Sequence, residues 1–251
     1  MKSFCTDKLQ VNILENRKEM GAAAARDISA KIKEYLSRKD EINMIFAAAP
    51  SQNEVLDSLV ADKTIEWGKI NAFHMDEYIG LDKNAPQRFG NFLAEHIFDK
   101  VGFKSVNYIE SDNTIEAECE RYSELLKAHP IDIVVMGIGE NGHIAFNDPP
   151  VADFKDPALI KPVKLDEVCR NQQVNDGCFA AIDDVPKFAL TLTVPMLMSA
   201  SDLFCIVPAP TKAWAVKETL TSSIDEHCPA TALRTHDSAK LYLEPDSASL
   251  L

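Results

Sequence analysis

The 251 residues contain no C-x-x-C pair, no repeat of fixed period, no low-complexity tract and no long apolar run. Each absence removes a class of protein. The six cysteines (Cys5, Cys119, Cys169, Cys178, Cys205 and Cys228) are scattered, which argues against a zinc site or dithiol redox chemistry and for reduced, mostly structural thiols. No stretch approaches the ~20 apolar residues of a membrane span. The segment from Met1 to Lys8 lacks the apolar core of a signal peptide, so a cytoplasmic protein without membrane contact is expected. Basic residues are few: 26 Lys and Arg face 39 Asp and Glu, a formal charge of -13. Such a surface repels nucleic acid and anionic lipid.

What is present is the composition of a packed globular protein, 46% hydrophobic and 26% charged, long enough for a substantial core. We take residues 1–251 as one domain. Residues 15–38 carry apolar side chains at helical spacing (Met20, Ala24, Ile28, Ile32, Tyr35), which predicts an amphipathic helix. The apolar run from Ile42 to Ala49 stops at Pro50-Ser51 and is followed by helical spacing at Val55, Leu56, Leu59 and Val60. The unit recurs, with strands predicted at 70–75 and 105–109 and helices at 88–101 and 115–128. Residues 131–139, short, β-branched and flanked by turn residues, predict a central buried strand. Further strands are expected at 189–194, 202–207 and 239–243, with a helix at 211–221. Alternation of this kind predicts an α/β fold: a doubly wound, mostly parallel sheet with helices on both faces, a Rossmann-like three-layer sandwich. Ligands then sit at the carboxyl ends of strands, after Phe46, Met75, Gly137 and Val207. Residues 150–186 break the rhythm, and a long irregular segment in a compact domain is usually functional, so they form a candidate lid.

Two strand ends carry groups suited to proton transfer. One is His74-Met75-Asp76-Glu77-Tyr78; the other is Gly137 to Pro149, where Gly139, Asn141, Gly142, His143 and Asp148 lie. Plainer readings exist for each piece: Asp76 as a cap, Gly139-x-x-Gly142 as a turn, His143 as a hydrogen-bonded loop residue, Glu77 as a structural carboxylate. Trp67, Trp214 and Phe103 fit either a core or an interface, with core the default. A homo-oligomer stays open.

Together the segments Phe73 to Leu81, Gly137 to Pro149, Val185 to Thr191 and Pro229 to His236 resemble the glucosamine-6-phosphate deaminase/isomerase family, which is related to the 6-phosphogluconolactonases. The resemblance covers most of the chain, and Asn147-x-Pro149 with Asp76-Glu77-Tyr78 places it on the amino-sugar side. It implies an enzyme that opens a pyranose ring, moves a proton from carbon 2 to carbon 1, and releases ammonia and a ketose phosphate, using neither metal nor cofactor. In that pattern Asp76 matches the proton-shuttling base and His143 the residue that assists ring opening. Lys212 matches a phosphate-contacting lysine. Asn141 is one of two residues the family uses at its position.

The departures are specific. Asp148 stands where the family usually has a glutamate, so a backbone shift or bridging water is expected to make up the length. Pro50-Ser51-Gln52-Asn53-Glu54 replaces a Gly- and Thr-rich phosphate loop. Ser51 keeps a hydroxyl, and Gln52 and Asn53 are candidate binding groups. Glu54 must point away if phosphate is to bind, since a carboxylate ~4 Å from a phosphate oxygen costs roughly 4 kcal/mol at an effective dielectric of 20. Gly177 falls near the position of the family's lid arginine, and Arg88 and Arg170 are candidate replacements. Two other readings remain at this point: a sugar-phosphate lactone hydrolase, and a non-catalytic sugar-phosphate-binding regulatory protein, the latter without an attached DNA-binding segment.

Overall fold

The computed structural model describes residues 2–110 and 113–251. Its elements in chain order are β1 (Lys2–Thr6), β2 (Leu9–Ile13), α1 (Arg17–Leu36), β3 (Ile42–Phe46), α2 (Asn53–Ala61), β4 (Ile70–His74), β5 (Asp76–Tyr78), α3 (Phe89–Leu93), β6 (Ser105–Asn107), α4 (Ile115–Ala128), β7 (Ile133–Met136), β8 (Ile160–Lys164), α5 (Glu167–Asn175), β9 (Phe188–Leu192), α6 (Val194–Met198), β10 (Asp202–Val207), α7 (Ala213–Thr221) and β11 (Ala239–Leu243). Eight strands form one sheet in the order β1-β2-β11-β10-β7-β3-β4-β6, parallel except for β1. The expected doubly wound α/β sheet is present.

Two-residue periodicity explains why both faces are covered. Met44 and Phe46 of β3, Val135 of β7 and Ile206 of β10 pack with Ile28 and Ile32 of α1 and Leu56 and Leu59 of α2. Ile45, Val134, Met136 and Cys205 point the other way, onto Tyr122 and Leu126 of α4, Leu197 of α6 and Val216 of α7. Each such side chain contributes about 1.5–3 kcal/mol through burial.

The structure departs from expectation in five places. The β1–β2 hairpin was not anticipated: β1 is an edge strand with mostly exposed side chains, so it has little apolar pattern. The helix expected over 88–101 is α3 continued by a π-helical turn at Ala94–Phe98. The strand expected at 189–194 is β9, which leaves the main sheet for an antiparallel three-stranded one, β5-β9-β8. The segment 150–186 is not irregular throughout, since it holds β8 and α5. Pro162 in β8 obscures that strand, and an edge strand is where a residue lacking an N–H is tolerated. Trp214 is 49% exposed rather than in the core, because α7 turns Ala215, Val216, Thr219 and Leu220 inward instead.

Candidate active site

From β3 the chain winds outward through β4 and β6, then returns to place β7 on the opposite side of β3. The loops after β3 and β7 therefore diverge, and this switch point opens a cleft. The cleft is walled by Ser51, Gln52, Asp76, His143, Gln173 and Lys212, with Met75, Phe89 and Phe146 supplying apolar surface.

Asp76 stands at the joint between the two sheets. β4 ends at His74, the Met75 carbonyl accepts the Leu192 N–H (2.8 Å), and Asp76 pairs with Thr191 in the second sheet. The backbone is thus gripped on both sides. The side chain is 6% exposed and accepts no hydrogen bond from any described residue. Burial, with the Glu77 carboxylate adding to it, pushes the Asp76 carboxyl well above the usual carboxylate range.

Glu77 has a different task. Its oxygens accept the N–H groups of Tyr78 (2.9 Å), Phe89 (3.1 Å) and Gly90 (3.0 Å), and Arg88 Nε lies 3.4 Å away. Burial raises its pKa against these bonds, but the carboxylate satisfies the start of α3 and does not line the cleft. His74 is likewise structural, with Nε2 accepting the Ile109 N–H and burial pulling its pKa down to about 3.

The loop after β7 folds tightly onto itself. Gly142 N–H donates to the Gly139 carbonyl (3.0 Å), and Gly139 N–H to that of His143 (2.9 Å). A Cβ on Gly139 would lie 2.1 to 2.3 Å from three atoms of the His143 ring, so glycine is what lets the imidazole lie flat over the turn. Gly142 has φ +83°, and a Cβ there would meet Cys228 Sγ at 2.5 Å. His143 Nδ1 sits 2.7 Å from Asn141 Oδ1 and 3.1 Å from Asp148 Oδ1. Both oxygens accept, so Nδ1 carries the proton and Nε2 is the nitrogen left for the cleft.

The shorter Asp148 reaches His143 directly, without a bridging water. Asp148 also accepts Asn141 Nδ2 (3.0 Å) and, on its other oxygen, the Asp166 N–H (3.1 Å) at the head of α5. Burial opposes ionisation, but the bonds from His143, Asn141 and Asp166 outweigh it and hold the Asp148 carboxyl below the usual range. The candidate lid thus touches the carboxylate that orients the histidine.

The cleft is also lined by Lys212, 4% exposed, with no carboxylate within ion-pair distance among the described residues. Burial pulls its pKa down, although Asp176 and Glu140 act in the opposite sense. The turn that presents it begins at Ala209, whose φ of +83° is strained for a residue with a Cβ and is held by the Ala209 N–H bond to Glu244 (2.9 Å). Ser51 and Gln52 also line the cleft; Gln52 Nε2 donates to Ser51 Oγ (3.0 Å) and the Ile206 carbonyl (3.2 Å), and its buried Oε1 has no partner among the described residues. Glu54 points away, its Oε1 2.6 Å from Arg17 Nε.

Several expected residues do not reach the cleft. Arg88 is held at Glu77 and the Ile109 carbonyl (3.4 Å), and Arg170 donates to the carbonyls of Ile182 (2.5 Å) and Val185 (2.9 Å). Neither guanidinium is free to take the place expected of a lid arginine. Asn53 is the first residue of α2 and lies outside the lining; Gly142 and Asn141 shape the loop behind His143. Reading the sequence missed Gln172 and Gln173 of α5, both buried and both in the cleft wall. Two adjacent glutamines carry no apolar signal, but on a helix beside a predicted lid they were the available hint.

A family model described as glucosamine-6-phosphate isomerases/6-phosphogluconolactonase matches residues 15–160, more than half of the chain. A glucosamine-6-phosphate deaminase of Listeria monocytogenes is 34% identical over 212 residues, 84% of this chain and 88% of the relative. The chain belongs to this family. Another glucosamine-6-phosphate deaminase, from Lactobacillus delbrueckii subsp. bulgaricus, is 29% identical over 245 residues, covering 97% of this chain and all of the relative. The solved structure of a monomeric glucosamine-6-phosphate deaminase superposes with a TM-score of 0.86 at 29% identity, covering 96% of this chain and 99% of that one. A 6-phosphogluconolactonase from Thermotoga maritima has a TM-score of 0.77 at 21% identity over 94% of this chain and all of its own, a likeness of fold. The cleft brings together a buried carboxylate, Asp76, with His143 and Lys212. No helix among the described residues is long and apolar enough to cross a membrane.

Proposed function

We propose that the chain is a deaminase/isomerase that converts an amino-sugar 6-phosphate, glucosamine 6-phosphate or a close relative such as galactosamine 6-phosphate, to a ketose phosphate and ammonia. The observation that carries this reading is Asp76, a desolvated carboxylate with no donor among the described residues, lining the same cleft as His143. His143 Nε2 mediates proton movement between the 1-hydroxyl and the ring oxygen, which opens the ring. Asp76 then takes the proton from carbon 2 and returns it to carbon 1 while one amine proton passes to the aldehyde oxygen, converting the 2-amino aldehyde to the imine of a ketose. Water adds to that imine and ammonia leaves, so the isomerisation ends in a formal hydrolysis.

Desolvation suits the base, because a carboxylate shifted toward neutral pH is better matched to a carbon acid and keeps its proton from solvent. Hydrolysis of a lactone takes no proton from carbon and would leave Asp76 without a task. The relatives that are glucosamine-6-phosphate deaminases point the same way. Lys212, which lines the cleft together with Ser51 and Gln173, receives the phosphate; an ion pair at ~4 Å is worth about 4 kcal/mol at an effective dielectric of 20. In this reading residues 150–186 act as the lid of a single cytoplasmic domain, and the bond from Asp166 to Asp148 couples lid seating to histidine orientation.

The test is ammonia release from a panel of 2-amino sugars with and without the 6-phosphate. Turnover confined to phosphorylated sugars supports the proposal. Turnover of unphosphorylated sugars alone would assign Gln52 and Lys212 to other groups, and no ammonia from any sugar would end the deaminase reading.

A further inference from the structure

One side chain beside the histidine pair has no part in the chemistry above. Cys169, on the first turn of α5, is 1% exposed, and its thiol lies against Asp148. The donor atoms of His143, Asp148 and Cys169 all lie within 4.8 Å of one another, and the three residues are buried together. Ligand atoms around a tetrahedral zinc ion stand roughly 3.3–3.8 Å apart, given bond lengths of about 2.0–2.3 Å. The cluster is therefore within about 1 Å of that spacing. Asn141 Oδ1, 2.7 Å from His143 Nδ1, supplies a fourth donor.

We propose that His143, Asp148 and Cys169, completed by Asn141 Oδ1, form an inhibitory site for a thiophilic divalent cation, with Zn²⁺ the ion of best fit. One imidazole, one carboxylate and one thiolate are a borderline-soft set that selects zinc or cobalt over magnesium or calcium. The two anionic ligands balance the ion's charge, so the buried ensemble is neutral. Asp148 is already oriented by the Asp166 N–H on its other oxygen, the kind of outer bond that fixes a metal-bound carboxylate. Asp148 also borders a second, solvent-open cavity with Asp166, Glu167 and Lys187, which offers a way in that avoids the substrate cleft.

The protons balance as follows. The ion takes the Nδ1 lone pair, so the Nδ1 proton moves to Nε2 by way of solvent, and the Cys169 thiol releases one proton as its S–H bond is replaced by S–Zn. The ring is locked in the opposite tautomer from the one set by Asn141 and Asp148. Nε2, facing the cleft, becomes a fixed donor that cannot accept a proton, and ring opening stops.

The metal-free full chain is titrated with Co²⁺ while thiolate-to-cobalt charge-transfer absorption is followed, and Zn²⁺ is then added. One equivalent of Co²⁺ should give the band, and one equivalent of Zn²⁺ should abolish it. Ammonia release should fall over the same equivalent of Zn²⁺ and return with EDTA. Cys169→Ala should lose the band and require at least about tenfold more Zn²⁺ for inhibition, since losing a ligand costs no less than losing an outer partner. Cys5→Ser, at an exposed thiol, should change neither. The site is refuted by wild-type protein that gives no band, or by a band that survives in both Cys169→Ala and the closer isostere Cys169→Ser. The cobalt readout does not depend on the deaminase reading, so failure of one leaves the other standing.

Discussion

Asp76→Asn should push activity and stability in opposite directions. The amide is nearly isosteric, and no described residue donates to the carboxylate, so the exchange breaks no protein hydrogen bond. Turnover should fall about 10²–10⁴-fold, the usual share of a general acid–base group, or roughly 2.7–5.5 kcal/mol of barrier. Stability follows from linkage. Burial raises the folded pKa above the unfolded value of about 3.9, so between the two the native state binds more protons than the unfolded state, and stability declines as pH rises through that window. The variant lacks this penalty. It should match the parent below about pH 4 and be more stable at pH 7, by about 1.4 kcal/mol for every tenfold by which burial weakens the acid. In a chain of this size each kcal/mol is worth about 2–4 °C in Tm. Calorimetry at pH 4 and pH 7, with ammonia release at pH 7, reads all of this. A variant less stable than the parent at pH 7, or one that keeps more than about a tenth of the turnover, would refute the assignment of Asp76 as a buried base.

Three further outcomes separate the parts of the site. Lys212→Met should raise KM for phosphorylated sugars by about 30-fold or more, the cost of truncating one partner of a buried charge pair, with little effect on unphosphorylated analogues in steady-state kinetics. Arg170→Ala should leave substrate affinity unchanged but lower stability by about 1–3 kcal/mol in urea unfolding, because its hydrogen bonds go to the Ile182 and Val185 carbonyls. Gly139→Ala should cost about a hundredfold in kcat with the fold retained by circular dichroism, since the added methyl displaces the His143 ring.

Elements buried on both faces were legible from composition alone. β7 and, after Asp202, β10 are continuous apolar runs because parallel strands sandwiched between helices meet no water. α4 runs over the residues its spacing predicts, starting at the Thr114 cap. Elements whose stability comes from partners were not legible: β5 is only Asp-Glu-Tyr and exists because β9 pairs with it, and β8 carries a proline that only an edge tolerates. The same distinction runs through the site. Asp76, His143 and Asp148 lie at strand ends that the pattern locates. Gln172 and Gln173 are polar residues buried by the packing of a helix that the pattern does not reveal.

By itself the sequence determined the doubly wound sheet and the family, because alternating apolar periods and the segments around Asp76 and His143 are local properties of the chain. Only the tertiary structure decided the direction of each charge. Arg88 and Arg170 look on paper like phosphate ligands, yet buried guanidinium groups must be satisfied, and the nearest acceptors were Glu77 and backbone carbonyls. Glu54 looks like an obstacle to phosphate until Arg17, 37 residues away, is seen to hold it aside. Lys212 lines the cleft with no carboxylate of the described residues at ion-pair distance, a fact of three-dimensional neighbours that no spacing along the chain encodes.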